Sequence, residues 1–92
     1  MLQKLDPVLH NQLRLGIVSI LMNVDKADFN YLLEQTGATR GNISVQITKL
    51  KEANYIEVKK SFKGNFPNTA CKITKQGKKA FEAYVDALKS YF

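Results

Sequence analysis

Cysteine and histidine are almost absent from this chain of 92 residues, which has one of each, Cys71 and His10. A single cysteine cannot form an intrachain disulfide, and the two residues together cannot supply the ligands of a structural zinc site. Long apolar runs are also absent, because the longest, Gly16 to Met22, falls far short of the roughly 18 residues of a membrane span. The N-terminus lacks the basic and apolar regions of a secretory signal, so we expect a cytoplasmic protein.

Catalytic motifs are absent as well. The sequence has no nucleophile–base pair, no phosphate-binding glycine loop and no metal-ligand spacing, so we expect neither an enzyme nor a bound cofactor. Cys71 shares one face of an alternating stretch with Ile73, which is typical of a small buried hydrophobic side chain rather than a redox switch. His10 has no partner nearby in the sequence, so we interpret it as a residue of the surface or the core edge.

Positive charge is abundant and concentrated in the middle of the chain. The net charge is +6, which favours an anionic partner. Residues 39–79 include ten basic and two acidic residues, whereas the rest of the chain has four basic and six acidic ones. The central segment therefore has a net charge of +8, and we expect it to contact the partner.

Two helices are predicted in the first part of the chain. Asp6 and Pro7 are favourable at a helix N-terminus, and the apolar periodicity after them predicts a helix from residue 6 to about residue 22. Asp28 can cap a short second helix, which Gly37 ends by adopting the left-handed conformation. A connector joins the two helices, with room for one very short strand.

The third predicted helix, TRGNISVQITKLK, follows almost at once. Thr39 can cap its start, and Asn54 can end it because asparagine tolerates the left-handed conformation almost as glycine does. Ile43, Ile47 and Leu50 recur at helical spacing and form its buried stripe. Two helices joined by a short turn that contains a glycine are typical of a helix-turn-helix.

The periodicity then changes from helical to alternating. Residues 55–59 and 69–73 each have one apolar face, which predicts two strands, and we expect residues 62–68 to form a long hairpin loop. Thr74 can cap a last helix over about residues 75–91. The predicted fold is α+β, mostly α: one winged helix-turn-helix domain over residues 1–92, ordered as helix, helix-turn-helix, β-hairpin wing and C-terminal helix.

The outward face of the third helix is small, almost neutral and able to form hydrogen bonds. It presents Gly41, Ser44, Val45, Thr48 and Lys49, instead of the Glu and Lys pairs that keep a helix soluble. Gly41 costs roughly 1 kcal/mol relative to alanine inside a helix. Short side chains are what a helix needs to enter a DNA major groove about 12 Å wide. The alternative is a polar face that only contacts solvent.

Three ordered segments resemble the consecutive signatures of small winged-helix transcriptional regulators: LDPVLHNQLRLGIVSIL, GNISVQITKLKEANYIEV, and the hairpin that continues into ITKQGKKAFEAY. The resemblance is to the superfamily of multiple-antibiotic-resistance (MarR) and arsenical-resistance (ArsR) repressors, and it spans nearly the whole chain. It implies that the third helix enters the major groove of double-stranded DNA. The residues that we expect to contact DNA are Thr39, Arg40, Gly41, Asn42, Ser44, Val45, Thr48 and Lys49 on this helix, and Lys59, Lys60, Lys63 and Asn65 on the wing.

The wing departs from the family pattern at its tip. Relatives often have arginines around the proline of the wing, whereas this chain has NFPN, so we do not expect an arginine in the minor groove. Phe66 has three alternative roles: it covers the base of its own hairpin, packs on another chain, or lies in solvent at the loop tip. Lysines lie on the wing or next to it, where a hairpin can straddle the DNA backbone or enter the minor groove.

Three polar residues have open roles. Asn42 and Gln46 can bind adenine if they reach a base edge. Arg14 matches an arginine in the first-helix signature of the family, where a structural ion pair competes with a phosphate contact. Lysines also crowd the first turns of the last helix, where the helix dipole disfavours them unless phosphates lie nearby.

Both terminal helices have apolar side chains that the central unit does not obviously cover, and a monomer that exposed them would tend to associate. The resemblance implies a homodimer formed through these two helices. A twofold dimer would bind an operator with an inverted repeat, its half-sites about 10 bp apart, and would act as a transcriptional regulator, in the first place a repressor. The interface residues that we expect are Leu5, Val8, Leu9, Phe81, Tyr84, Val85, Leu88, Tyr91 and Phe92. The alternatives are a winged helix that binds RNA or the ribosome, and a protein-interaction module.

Overall fold

The computed structural model describes residues 1–92, and its elements follow the predicted order. They are α1 (Gln12–Met22), β1 (Ala27–Asp28), α2 (Phe29–Thr36), α3 (Arg40–Glu52), β2 (Ile56–Lys63), β3 (Phe66–Ile73) and α4 (Lys75–Lys89). The strands form one antiparallel sheet in the order β1-β3-β2. The predicted winged helix-turn-helix is confirmed, with α2 and α3 as the helix-turn-helix and β2 and β3 as the wing. No helix is both long enough and apolar enough to cross a membrane.

The core lies between the helices and the inner end of the wing. Ile17, Leu32 and Leu50 enter it from α1, α2 and α3 and are fully buried. Cys71 from β3 and Tyr84 from α4 complete it. Burial raises the pKa of the Cys71 thiol to about 11, which keeps the thiol protonated and unreactive at neutral pH. The prediction that Cys71 is a small buried hydrophobic side chain is confirmed.

Most of the predicted helix ends are confirmed because they depend on local hydrogen bonds. Asp28 caps α2 by accepting from the backbone N–H of Tyr31 at 2.8 Å. Thr39 and Thr74 cap α3 and α4 in the same way. Gly37 and Asn54 follow α2 and α3 with φ of 67° and 62°, as predicted for residues that leave a helix through the left-handed region.

The predicted start of the first helix is wrong. Residues 7–11 form a turn in which Asp6 Oδ1 accepts from the N–H of Val8 at 2.8 Å. α1 begins only at Gln12, because Asn11 is its N-cap and accepts from the N–H of Arg14 at 3.0 Å. Two candidate caps thus lie five residues apart in the sequence, and the second one starts the helix while the first one closes a separate turn.

The predicted long hairpin loop is also wrong. β2 and β3 stay paired as far as Lys63 and Phe66, and only Gly64 and Asn65 form the turn. Gly64 has a φ of 63°, a conformation that glycine at the first central position of a two-residue hairpin turn supplies without strain. Pro67 is tolerated inside β3 because β1 pairs with β3 only much nearer the core, which leaves the tip two-stranded.

Two residues predicted for the dimer interface lie inside a single chain. Leu9 is completely buried, and Tyr84 is almost completely buried, so neither can offer its side chain to another copy. The hydroxyl of Tyr84 lies 3.2 Å from Nδ1 of His10, which puts this histidine at the edge of the core. Leu9 belongs to the turn before α1, not to a helix, and this turn contacts α4 at Tyr84.

Candidate nucleic-acid interface

The third helix has the two faces that its sequence predicts. Ile43, Ile47 and Leu50 are buried against the core. Gly41, Ser44, Val45, Thr48 and Lys49 are all exposed on the opposite side. Val45 is half exposed, although no other element requires an apolar group there. The outward face therefore combines small hydrogen-bonding groups with one apolar side chain, and groups of both kinds recognise base edges in a major groove.

The hydroxyl of Thr48 is oriented by its own helix. It donates to the backbone carbonyl of Ser44 at 3.0 Å, a common use of threonine inside a helix. The hydroxyl proton is thus engaged, and Thr48 presents oxygen lone pairs and a methyl group to the outside. In this rotamer the residue is suited to accept from a base amino group or to contact a thymine methyl.

Gln46 does not belong to the outward face. Only 9% of its surface is exposed, and its Oε1 accepts from Nη1 of Arg14 at 2.6 Å. Its amide nitrogen donates to Oδ1 of Asn42 at 3.1 Å. Arg14 also donates from Nε to the carbonyl of Val8 at 2.6 Å. These bonds fix α3 against α1. Of the two open roles of Arg14, they favour the structural one, but the partner is the Gln46 amide and not a carboxylate.

Arg40 is held at the junction of the two helices of the helix-turn-helix. Its guanidinium lies 5.6 Å from the ring centroid of Phe29, a favourable cation–π arrangement. Nη2 donates to Oδ1 of Asn30 at 3.3 Å. Arg40 remains exposed, so its positive charge lies at the N-terminal end of α3 with a defined orientation. Thr39 and Asn42 lie in the same exposed turn.

A groove of about 270 Å³ separates α3 from the wing. Ser44, Thr48 and Lys51 line it from the helix, and Lys60 and Thr69 line it from the strands. Lys51 was not among the predicted site residues, although its spacing of seven residues from Ser44 on a helix was the signal that could have identified it. Both walls of the groove thus carry a lysine beside hydroxyl groups.

The predicted wing lysines lie on two different faces of the sheet. Because side chains alternate along a strand, Lys60 faces the α3 groove, whereas Lys59 and Lys63 face the other way. On that outer face Lys63 lies 3.7 Å from a carboxylate oxygen of Asp28. Asn65 lies in the exposed turn at the tip. The structure therefore brings Lys60 together with α3 and separates Lys59 and Lys63 from it.

Lys49 lies on the other flank of α3. It shares a shallow hollow with Pro7, Val8 and Arg14, on the side away from the wing. Its ammonium group is exposed. The outward face of α3 is thus flanked by one lysine on each side, Lys49 next to the first turn of the chain and Lys51 next to the wing. Two such flanking cations suit the two phosphate backbones that border a groove.

The lysines at the start of α4 lie beside the carbonyl end of α3. Thr74 Oγ1 donates to the carbonyl of Asn54 at 2.7 Å, and Gln76 Nε2 donates to the carbonyl of Ala53 at 3.4 Å. The partial negative charge of a helix C-terminus offsets part of the unfavourable interaction of cations with the α4 dipole. The nearby lysines Lys75, Lys78 and Lys79 are exposed.

The two ends of the chain meet at one side of the molecule. Ser90 Oγ accepts from the N–H of Gln3 at 3.1 Å, and the hydroxyl of Tyr91 donates to the carbonyl of Gln3 at 3.1 Å. Leu2 and Phe92 are well exposed there, with 59% and 96% of their surfaces accessible. The other predicted interface residues are partly buried: Leu5, Val8, Phe81, Val85 and Leu88.

The winged-helix class of DNA-binding domains is defined by three features that this structure combines: a helix-turn-helix, an exposed third helix and a basic wing. The sequence model of the family described as "Winged helix DNA-binding domain" matches residues 13–92, and the chain belongs to this family. The narrower MarR/ArsR-like grouping stays a prediction.

The chain is also similar to individual proteins. It is 33% identical over 78 residues to an uncharacterized protein of Methanocaldococcus jannaschii, with 85% of both chains covered. The structure of a transcriptional regulator homologue from Pyrococcus horikoshii OT3 matches with a TM-score of 0.84 and 27% identity, over 91% of this chain and 83% of that one. Bacillus subtilis PadR in complex with operator DNA matches with a TM-score of 0.73 and 14% identity, over 82% of this chain and 47% of PadR, which shows the fold alone.

Proposed function

We propose that this protein is a cytoplasmic transcriptional regulator that binds double-stranded DNA sequence-specifically as a homodimer, and that it represses by occupying its operator. The observation that carries the proposal is the outward face of α3, where Ser44, Val45 and Thr48 are exposed without serving the core. A face kept only for solubility favours long charged side chains. A face that approaches base edges needs short ones.

Charge supports duplex DNA as the partner. Residues 39–79, which include α3 and the wing, have ten basic and two acidic residues, and Lys51 and Lys60 line the groove between these elements. Phosphate contacts from such lysines fix the position of a protein on DNA, while the face between them contacts the bases. The similarity to the Pyrococcus horikoshii transcriptional regulator homologue supports a regulatory role.

The exposed apolar side chains at the chain ends support the homodimer. Leu2, Tyr91 and Phe92 are all exposed on the side where the two termini meet. Burying this patch against the same patch of a second copy would form a twofold interface. In such a dimer the two α3 helices would occupy major grooves one helical turn apart, so the operator would contain an inverted repeat.

The experiment is a selection of sheared genomic DNA from the source organism at physiological salt with excess competitor DNA, followed by sequencing. We expect an enriched inverted repeat with half-sites about 10 bp apart. A single half-site would contradict the dimer. Uniform retention that disappears with salt would contradict sequence-specific recognition, and preferential retention of RNA in a parallel selection would favour the RNA-binding alternative.

Thr48→Glu tests the role of the α3 face directly. A carboxylate there would repel phosphates and leave base edges without partners, so we expect affinity for the selected site to fall about a hundredfold. Thr48 is exposed, so the unfolding free energy should hardly change. The control is Gln12→Glu, an equal charge change at the exposed start of α1. Equal losses of affinity in both variants would mean that Thr48→Glu acts only through the net charge of the protein and not through the α3 face.

A further inference from the structure

The tip of the wing exposes aromatic side chains that the fold does not use. Phe62 and Phe66 have 73% and 77% of their surfaces accessible. Neither covers the base of the hairpin, which excludes one of the alternatives for Phe66. An exposed phenylalanine next to a two-residue turn adds nothing to the core and favours association with other molecules, so two of them at one tip require an explanation.

Strand register places the two rings on opposite faces of the wing. Phe62 pairs with Pro67 across the strands, and Lys63 pairs with Phe66. Paired residues point to the same side of a sheet, so Phe62 and Pro67 form one apolar pair. This pair lies two residues beyond Lys60 and Thr69, on the strand face that lines the groove with α3. Phe66 belongs to the outer face.

The surroundings of Phe62 are cationic. Residues 58–69 include three lysines and no acidic residue. Two carboxylates contact lysines of the hairpin, Asp28 at Lys63 and Asp25 at Lys72, and both do so on the outer face, opposite Phe62. An apolar pair at a basic tip is poorly suited to a neutral protein surface. It suits a nucleic acid, where phosphates attract the lysines and stacked bases offer an apolar surface.

The length of the hairpin fits the same partner. From Val58, which packs against the core, to Gly64 at the turn, the strand rises about 20 Å. The minor groove that flanks a major-groove site lies half a helical turn, about 17 Å, along the duplex axis. Phenylalanine and proline are among the side chains that proteins insert between base pairs in the minor groove, which partly unstacks and kinks the duplex.

We propose that Phe62, supported by Pro67, inserts between base pairs of the minor groove next to the site of α3 and kinks the DNA. This inference rests on the proposed binding of duplex DNA by α3. Relatives often have arginines in this part of the wing, and here an inserted aromatic ring, the Phe62 wedge, would take their place in the minor groove. The expected consequence is DNA bending that depends on Phe62 and not on Phe66.

The test is ligase-catalysed circularisation of linear duplexes of about 120 bp, which are shorter than one persistence length and close slowly without bending. The assay needs no knowledge of the operator, because any kinking protein accelerates closure. We expect the wild-type protein to accelerate closure of the DNA circle and Phe62→Ala to lose most of this acceleration. The matched control is Phe66→Ala, which removes an equally exposed ring from the opposite face and should bend DNA like the wild type.

Affinity measured at several salt concentrations gives the second readout. Phe62→Ala should weaken binding about tenfold without changing the slope of log K against log salt, because no phosphate contact is lost. Lys60→Ala should instead reduce the slope by about 0.9. Light scattering of Phe62→Ala should give the same mass as the wild type.

Three results would overturn the wedge while leaving duplex binding intact: wild-type protein that binds without accelerating closure, Phe62→Ala that bends DNA normally, or equal losses for Phe62→Ala and Phe66→Ala. A changed mass of Phe62→Ala would identify the ring as a protein contact and would also overturn it. If the wild type failed to bind duplex DNA at all, the proposed function itself would fail.

Discussion

The first turns of α3 and α4 are alike in sequence but differ in what their glycines do. Each helix follows a threonine N-cap, and each has a glycine in its first turn, Gly41 in α3 and Gly77 in α4. A Cβ at Gly77 would collide with the backbone carbonyl oxygen of Tyr55 and lie 2.9 Å from a side-chain carbon of Ile73. A Cβ at Gly41 would have no neighbour within 4 Å.

The difference separates a glycine required by the fold from one that the fold tolerates. The start of α4 lies directly on the chain after α3, where the N–H of Thr74 also donates to the carbonyl of Tyr55 at 3.0 Å. Only a residue without a side chain allows this approach. Gly41 lowers the stability of α3 and has no packing reason, which supports its assignment to a surface that an external partner approaches closely.

Gly77→Ala should have the largest effect on stability. The added methyl cannot avoid a backbone atom by a change of rotamer, so α4 must shift, and we expect a loss of about 3 kcal/mol in the free energy of unfolding. Urea unfolding followed by circular dichroism measures this loss. A change below about 1 kcal/mol would mean that α4 moves easily and that Gly77 is not required.

Gly41→Ala should act in the opposite direction. Alanine fits the open space and is the better helix former, so the free energy of unfolding should rise by about 0.5–1 kcal/mol. Affinity for the selected DNA should fall, because the methyl occupies the space next to the helix N-terminus. A variant that is more stable and binds DNA as well as the wild type would assign no binding role to Gly41.

The last prediction concerns the stability of the fold at alkaline pH, which depends on the contact between Tyr55 and Asp6. Burial, followed by a hydrogen bond from its hydroxyl to Asp6 and by the charge of Asp6, raises the pKa of Tyr55 from 10.0 to about 12. The folded state therefore holds the phenolic proton more tightly than the unfolded state. The resulting stability is fully present below pH 10 and is lost as the pH rises towards 12.

Tyr55→Phe should remove this part of the pH dependence. Thermal unfolding of both proteins below pH 10 and again near pH 12 measures it, and the variant should lose less stability between the two conditions. An unchanged alkaline loss would assign the effect to other groups, of which the buried Cys71 thiol, with its pKa raised to about 11, is one. The contact around Tyr55 would then be weaker than its geometry indicates.

Predictions from the sequence were correct where the determining contacts are local. Thr39 caps α3 through a bond to the N–H of Asn42, three residues away. Alternation likewise identified both strands of the wing. The start of α1 was wrong because Asp6 and Asn11 are both good local caps, and the carboxylate of Asp6 is engaged by Val8 and by the distant Tyr55. Local rules alone do not choose between two such caps.

In the candidate site, too, the sequence predicted what depends on local spacing and missed what depends on contacts between distant residues. Helical periodicity placed Ser44, Val45 and Thr48 together on the outward face. It did not show that Gln46 is engaged by Arg14, which is 32 residues away, or that Lys60 and Lys51 share a groove. Those facts depend on how α1 and the wing dock against α3.

The sequence by itself determined the order of the elements, most of their ends and the outward face of α3, because caps and periodicity act within a few residues. The tertiary structure decided which apolar residues are available at the surface, as for Leu9 and Tyr84, and which wing lysine faces α3. The tertiary structure also explains why residue 77 must be glycine: Tyr55, which Gly77 contacts in space, is separated from it in the sequence by both strands of the wing. Contacts between residues far apart in the chain form only when the helices and the sheet pack together, and no local pattern encodes them.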